Sequence, residues 1–354
     1  MMKGLYSMLE TMAVIKASDL YLNVGAPPTF KVNGQLRRVN DVAMESSDIR
    51  DLILDALNEE QKEKFDKHLE LDISLQIENG GRFRLNLYRQ KGAVALVARH
   101  IQNIIPTIDD LELPQQLKEF AMVEQGLVLV VGATGVGKSS TLASMIDYRN
   151  ENSQGHILTV EDPIEFVHYH KQSLISQREV GVDTDSYKDA LKYALRESPN
   201  VIVIGEIRDQ ETAQQALRFA ETGHLCIATL HASSANLAID RLVNFFPQDS
   251  HHRIYRDVAS HLVAIIAQRL AKGISQPKIP VVEILHNSMH VKSLIERNDL
   301  SELKEAMESS EKCQTFQDSL FNLVVDKKIT KEEAVRLADS EVDLLLRFRM
   351  DHAV

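Results

Sequence analysis

The strongest chemical signal in the sequence is a glycine-rich run that ends in a lysine and two serines. The run GATGVGKSS follows the apolar segment GLVLVV and fits the pattern G-x-x-x-x-G-K-[ST]. Glycines let backbone N–H groups close around a polyphosphate, the lysine reaches its terminal phosphates, and the first serine can ligate Mg²⁺. The pattern predicts a nucleotide-binding loop made of Gly132, Ala133, Thr134, Gly135, Val136, Gly137, Lys138, Ser139 and Ser140.

Two acidic segments follow other apolar runs and could complete such a site. The run VIVIGE ends in Glu206, and TVEDPIEF contains Glu161, Asp162 and Glu165. Ligands of parallel sheets bind at the carboxyl ends of the strands, so Glu206 is predicted to lie near the metal ion. One acid of TVEDPIEF could polarise the attacking water, although acids around Pro163 also fit the alternative of turn and cap residues.

Two histidines flank a further apolar run, in the segment ETGHLCIATLH. His224 precedes the run and His231 ends it. This strand is expected to neighbour the phosphate-binding loop, so either ring could sense the γ-phosphate or Glu206 through a hydrogen bond. Structural capping of the strand ends is the alternative.

Arginines form the last group of candidates, and they lie outside the segment that carries the loop. The period of two in the strand GRFRLNLYRQ places Arg82 and Arg84 on one face, and Arg99 follows on the next strand. Arginines that stabilise charge are often delivered to a nucleotide from outside its own domain. From the residues alone, a solvated strand face is an equally good interpretation of these arginines.

The elements that must position these residues change character along the chain. Short β-like runs and turn signals, including Asn33-Gly34, predict a small α+β domain over residues 1–104, in which residues 47–68 have helical periodicity. A segment between two prolines, residues 105–114, is the predicted linker. Buried strands then alternate with helices over residues 115–290, which indicates a parallel sheet covered on both faces. Residues 291–354 are predicted to form a helical annex.

Charge and composition limit the function classes. The 354 residues include 40 Lys+Arg and 51 Asp+Glu, for a formal net charge of −11. Binding to nucleic acid or to an anionic membrane depends mainly on basic residues, so neither is expected as a partner. The apolar runs are too short for a membrane span, so direct membrane insertion is not expected. Two cysteines suit a reducing compartment, and a cytoplasmic location is predicted.

At this point the motifs resemble those of a known family over nearly the whole chain. In order, GATGVGKSS, TVEDPIEF, ALRESPNVIVIGEIRD and ETGHLCIATLHASSANLAIDRLVNFFP resemble the Walker A, Asp box, Walker B and His box of secretion-superfamily ATPases. They are most similar to the PilT/PilU family of type IV pilus retraction ATPases. The resemblance implies an α/β fold, with an N-terminal PAS-like α+β domain, a RecA-like P-loop ATPase domain and C-terminal helices.

The resemblance also implies roles at the nucleotide, with ATP and Mg²⁺ as the cofactors. Lys138 and Ser139 would hold phosphate and Mg²⁺. Glu206 would be the Walker B acid that binds Mg²⁺ directly or through water, and Glu165 would be the base that positions water. The implied activity is ATP hydrolysis coupled to the mechanical work of pilus retraction.

Assembly and partners follow from the same resemblance. The implied enzyme is a homo-hexamer in which the PAS-like domain of one subunit packs on the RecA-like domain of the next. His224 and His231 would be sensors, and Arg82, Arg84 and Arg99 match arginines near the nucleotide between subunits. A PilT-like paralogue and a pilus platform protein of the inner membrane are the implied partners, at the cytoplasmic face of that membrane.

Several alternatives remain at this stage. The tail, with HVKSLIERNDLSELKEAMESS and ITKEEAVRLADSEVDLLL, resembles the PilU branch, which implies an accessory retraction motor acting with PilT. A PilT-type primary motor and a nucleotide-gated scaffold with little turnover are the alternatives. Assembly ATPases typically carry extra N-terminal domains and often a four-cysteine zinc module, for which this chain has no room. A RecA-like nucleic-acid motor is disfavoured by the acidic charge.

Overall fold

The structure, a computed structural model, describes residues 4–32, 34–77, 81–101 and 104–350. It divides into two compact units. The N-terminal unit comprises Met1–Ile104 and Glu165–Val167, and the second unit comprises Ile105–Ile164 and His168–Val354. Within the described ranges, no helix is both long and apolar enough to cross a membrane.

The N-terminal unit is built on one antiparallel sheet of six strands in the order β3-β2-β1-β6-β5-β4. Three helices, α1, α2 and α3, supply apolar side chains to a core shared with this sheet. Its elements are α1 (Leu5–Val14), β1 (Asp19–Leu22), β2 (Thr29–Val32), β3 (Gln35–Arg38), α2 (Ser46–Leu54), α3 (Glu59–Lys67), β4 (Glu70–Ile77), β5 (Gly81–Gln90) and β6 (Ala93–Ile101).

Local sequence explains two details of this unit. The helical pattern predicted over residues 47–68 forms two helices, because the Asn58 side chain accepts a 2.8 Å hydrogen bond from the Gln61 N–H and so caps a new helix. Lys91 and Gly92 join β5 to β6 with φ of 52° and 83°, which suits a tight two-residue hairpin turn. Asn33, in the predicted Asn33-Gly34 turn, lies outside the described residues.

The second unit contains a seven-stranded sheet in the order β13-β12-β7-β11-β10-β8-β9. Its strands pair in parallel, except that β13 is antiparallel to β12. Its elements are α4 (Gln116–Met122), β7 (Gly126–Gly132), α5 (Lys138–Asn152), β8 (Gly155–Glu161), β9 (Ser173–Glu179), α6 (Tyr187–Ala194), β10 (Val201–Ile204), α7 (Gln210–Glu221), β11 (Leu225–Leu230), α8 (Ala235–Val243), α9 (His251–His261), β12 (Leu262–Ala271), β13 (Ile279–His286), α10 (Met289–Glu296), α11 (Leu303–Glu308), α12 (Phe316–Val325), α13 (Lys331–Leu337) and α14 (Glu341–Met350).

The central strand β7 shows why its sequence is continuously apolar. Leu127, Leu129 and Val131 join the core on one face of the sheet, and Val128 and Val130 join the core on the other. All five side chains are buried, and burying each contributes about 1.5–3 kcal/mol. A strand covered on both faces needs apolar residues at every position, and the expected α/β class is confirmed.

Candidate active site

The phosphate-binding loop connects the end of β7 to the start of α5. Gly132 has φ of 154°, and a Cβ there would lie 2.6 Å from the Gln268 carbonyl oxygen and 2.7 Å from Val136 Cγ2. Gly137 caps α5 with φ of 95°, in the left-handed region. Glycine is therefore required at both positions, by close approach at the first and by backbone conformation at the second.

Gln268 on β12 braces this loop from the neighbouring strand. Its Nε2 donates to the Val136 carbonyl at 2.9 Å, and its Oε1 accepts from Thr141 Oγ1 at 2.8 Å. Only 4% of Gln268 is exposed. Gln268 was not among the residues predicted from the sequence, although a lone amide in the apolar strand LVAIIAQRLA is the signal that could have identified it.

Lys138 lies at the mouth of the loop, as the first residue of α5. Its Nζ donates to the carbonyls of Gly132 and Ala133, both at 2.9 Å, and lies 3.5 Å from His231 Nδ1. Partial burial lowers the pKa of Lys138 from its ordinary value, while the Glu206 carboxylate acts in the opposite direction. The lysine cation is thus held close to the acid and the histidine that were predicted to join it.

A continuous chain of polar contacts extends from His231 across the carboxyl edge of the sheet. His231 Nε2 lies 2.8 Å from Glu206 Oε1, and Arg208 Nε donates to Glu206 Oε2 at 2.6 Å. Arg208 Nη1 in turn donates to Asp162 Oδ2 at 2.9 Å. The bond to Glu206 is the main cause of the raised pKa of Arg208. Residues that follow three strands are therefore joined in one chain of contacts, which reaches Lys138 through His231.

The oxygen donors in this region fit a magnesium ion. Ser139 follows Lys138 in the first turn of α5, and Glu206 presents a carboxylate after β10. Hydroxyl and carboxylate oxygens are the ligands that Mg²⁺ takes in phosphate sites. Both oxygens of Glu206 already accept from His231 or Arg208, which suits binding through an intervening water more than direct ligation.

Space for a ligand adjoins the same residues. A cavity of about 610 Å³ opens between the phosphate-binding loop and α8, and it is lined by Gly132, Ala133, His231, Ala232, Ser233, Leu237, Asp240, Arg241 and Asn244. Ligand pockets of small molecules typically occupy about 300–1,000 Å³. The cavity is therefore of a size that suits part of a nucleotide.

His224 and Glu165 were also predicted to act at the nucleotide, and the structure describes each in other surroundings. His224 precedes β11, at the opposite end from His231, where its Nδ1 lies 3.1 Å from Thr222 Oγ1. Six residues of strand separate the two histidines, which corresponds to roughly 20 Å. Glu165 is exposed and belongs to the N-terminal unit. The catalytic roles assigned to both stay predictions.

The remaining acids of the TVEDPIEF segment differ in their surroundings. Glu161 Oε1 accepts from Thr159 Oγ1 at 2.7 Å and from Gln177 Nε2 at 3.0 Å. Glu161 is thus held by hydrogen bonds within its own sheet. Asp162 is exposed and contacts Arg208, so it is the acid of this segment that the structure joins to the Glu206 cluster.

The predicted arginines lie together in the N-terminal unit. Arg84 on β5 pairs in register with Arg99 on β6, and Arg82 lies two residues before Arg84. Arg84 forms an ion pair with Asp72 at 2.9 Å, and Arg99 forms one with Asp19 at 2.8 Å. The hydrogen bond with Asp19 is the main cause of the raised pKa of Arg99, and Glu165 adds to it. The three arginines therefore share one sheet region.

The fold and this site define a class of protein. A parallel sheet with a phosphate-binding loop on β7, and an acid on the strand beyond its neighbour, is the arrangement of a RecA-like P-loop ATPase. Residues 2–317 match the family described as Type II/IV secretion system protein.

Comparison with individual relatives shows which group within this family the chain resembles. The type IV pilus ATPase PilU of Pseudomonas aeruginosa is 43% identical over 350 residues, which cover 97% of this chain and 91% of that protein. The type IV pilus retraction ATPase PilT of the same organism is 40% identical over 320 residues, 90% of this chain and 93% of that protein. A crystal structure of the pilus retraction motor PilT with bound ADP has a TM-score of 0.92 at 36% identity, covering 97% of this chain and 99% of that one. The chain therefore belongs to the type II/IV secretion system family, and within it to the PilT/PilU ATPases.

Proposed function

We propose that this chain binds ATP and Mg²⁺ and hydrolyses ATP to power type IV pilus retraction. The observation that carries the proposal is the contact chain from Lys138 through His231 to Glu206, at the carboxyl edge of the parallel sheet. It joins the phosphate-binding cation to an acid and to a polar group between them. The similarity to PilU and PilT supplies the mechanical task.

Each group has a proposed task during turnover. The backbone N–H groups of the loop and Lys138 bind the phosphates. Ser139, and Glu206 through water, would hold Mg²⁺, which would supply positive charge beside the phosphate oxygens. His231 lies between Lys138 and Glu206, so it is placed to change its hydrogen bonds when the terminal phosphate leaves. Glu165 is proposed as the base that orients the attacking water.

Assembly is part of the same proposal. We infer a homo-hexamer in which Arg82, Arg84 and Arg99 of one subunit stabilise charge on the nucleotide of the next. The grouping of these arginines on adjacent strands supports delivery of several cations from one surface. We also propose the division into a domain over residues 1–104, a linker over 105–114, an ATPase core over 115–290 and a C-terminal helical annex over 291–354.

The proposed cellular role is that of a PilU-type accessory motor. The identity and the share of this chain that is covered are somewhat higher for PilU than for PilT, which favours this branch. The proposed partners are a PilT-like paralogue and an inner-membrane platform protein, reached from the cytoplasmic face.

Retraction events counted in live cells test this role. Strains that lack both retraction motors would receive this protein alone, PilT alone, or both. We expect retraction only when PilT is present. Adding this protein to PilT should increase the number of retraction events, and adding its Lys138→Ala variant should give no increase. Retraction by this protein alone would contradict the accessory role, and no effect in any strain would contradict the pilus function.

A further inference from the structure

Arg269, which follows Gln268 on β12, connects two parts of the second unit that are distant in sequence. Its Nη1 donates to the Leu337 carbonyl at 2.9 Å, and its Nη2 forms an ion pair with Asp339 at 2.7 Å. The guanidinium also lies 3.8 Å from the centre of the Phe316 ring. The same Nη2 also donates to the Ser233 carbonyl at 3.4 Å. One side chain therefore joins the C-terminal helices to the segment after β11.

That segment, residues 232–235, connects His231 to the first turn of α8. Its far end is held by a second side chain, because the Ala235 N–H donates to Glu283 Oε1 on β13 at 2.8 Å. Ser234 occupies the N-cap position of α8 without a side-chain capping bond. Residues 232–235 are thus positioned by Arg269 and Glu283 rather than by a cap of their own.

The position of Arg269 depends in turn on the segment between α13 and α14. Leu337 and Asp339 supply its carbonyl and carboxylate partners, and the Phe316 ring covers its plane. Charge-assisted hydrogen bonds of this kind fix a planar guanidinium in one orientation. Displacement of the 337–339 segment would remove two of the groups that aim Arg269 at Ser233.

Gln268, which precedes Arg269 on β12, contacts the phosphate-binding loop from the same strand. Successive side chains of a strand point to opposite faces, so Gln268 braces the phosphate-binding loop while Arg269 holds residues 232–235. Gln268 thus contacts the loop residue Val136, two positions before Lys138, and Arg269 contacts Ser233, two positions after His231. A shift of the C-terminal helices therefore has a short covalent and hydrogen-bonded path to the site.

We propose that Arg269, held by Asp339, Leu337 and Phe316, is a positioning residue through which the C-terminal helices set the rate of ATP hydrolysis at His231. The proposal rests on the proposed ATPase function of the same site. It assigns a regulatory task to the 337–339 segment, which contains none of the predicted catalytic residues.

The test compares Asp339→Asn, which removes the carboxylate charge but keeps its shape, with a matched control. Arg347 also forms an ion pair, with Asp318, and also stacks on a ring, at 4.5 Å from the centre of Phe321. These contacts of Arg347 lie among the C-terminal helices. Arg347→Gln therefore loosens those helices without removing the contact to residues 232–235.

Two measurements distinguish a positioning role of Arg269 from a general loosening of the C-terminal helices. We expect Asp339→Asn to lower kcat for ATP about threefold to tenfold with KM unchanged, the size typical of remote coupling. Hydrogen–deuterium exchange at residues 232–236 should become faster in Asp339→Asn and in Arg269→Gln. In Arg269→Lys the exchange rate should lie between those of Arg269→Gln and the wild type. Arg347→Gln should leave both kcat and that exchange at wild-type values.

Different results would contradict the positioning role of Arg269 and the proposed ATPase function. Wild-type kcat or wild-type exchange at residues 232–236 in Asp339→Asn would overturn the positioning role, and so would an equal effect of Arg347→Gln. Absence of turnover in the wild type, or full turnover in Lys138→Ala, would overturn the proposed ATPase function. The exchange comparison needs no turnover, so it tests the Asp339–Arg269 contact in either case.

Discussion

Replacing Gln268 with methionine would remove the brace of the phosphate-binding loop while keeping a side chain of similar length. The amide group bonds to the Val136 carbonyl and to the Thr141 hydroxyl, in a place nearly sealed from water. A buried polar group that loses its partner costs about 1–3 kcal/mol. The threonine hydroxyl can turn to a carbonyl of its own helix, which reduces the cost at that group.

We therefore expect Gln268→Met to lower the free energy of unfolding of the ATPase unit by about 2–3 kcal/mol. The phosphate-binding loop would also adopt its nucleotide-binding conformation for a smaller fraction of the time. Apparent affinity falls in proportion to that fraction, so we expect binding of a fluorescent ADP analogue to weaken about threefold to tenfold.

Urea unfolding followed by circular dichroism, together with ADP-analogue titration, measures both effects. Thr141→Val removes only one of the two bonds and should give a smaller loss. Gln276→Met is the control, because Gln276 is exposed and bonds to Glu112 away from the loop. Wild-type stability and affinity in Gln268→Met would show that strand packing alone fixes the loop and that the Gln268 bonds do not.

Three further predictions address other parts of the second unit. Burial raises the pKa of Glu283 to about 7, so its carboxyl keeps a proton that the unfolded chain loses between about pH 4.5 and 7, and stability falls as pH rises through that window. Glu283→Gln should therefore raise the free energy of unfolding at pH 8 more than at pH 5, by up to about 3 kcal/mol, and thermal unfolding at the two pH values measures this. A change in Tm that is the same at both pH values would contradict it. Burial raises the pKa of the Cys226 thiol, so a thiol reagent should modify only half-buried Cys313 in the native chain, and modification of both before unfolding would be the contrary result. Arg208→Gln should change the unfolding free energy by less than about 1 kcal/mol, since the Arg208 side chain is half exposed and solvent screens its ion pairs. It should nevertheless lower kcat because Glu206 loses a donor, and unchanged kcat would show that His231 alone orients the acid.

The phosphate-binding loop and its neighbours were predictable because their signals are local. The glycines, Lys138 and Ser139 are contiguous, and the apolar run before them has the composition of a strand covered on both faces. Glu206 was predicted to lie near the metal ion by the rule that ligands bind at the carboxyl edge of parallel strands, and in the structure it lies 2.8 Å from His231. The site roles of these residues stay predictions.

The contacts of β12 were not predictable in the same way. Gln268 bonds to Val136, 132 positions earlier, and Arg269 bonds to Leu337, 68 positions later. Such pairs depend on which strands lie side by side and in what register, which a periodic pattern does not contain. The break in the predicted helix over residues 47–68 has a different cause, since one cap at Asn58 overrode a continuous helical period.

Phosphate release from ATP by the purified chain is the most direct test of the central proposal. The measurement compares wild type, Lys138→Ala and Glu165→Gln, each with Mg²⁺ and with excess chelator, after circular dichroism has confirmed that the variants fold. We expect turnover by the wild type that requires Mg²⁺ and is abolished in both variants. Undiminished phosphate release by either folded variant would contradict the assigned site.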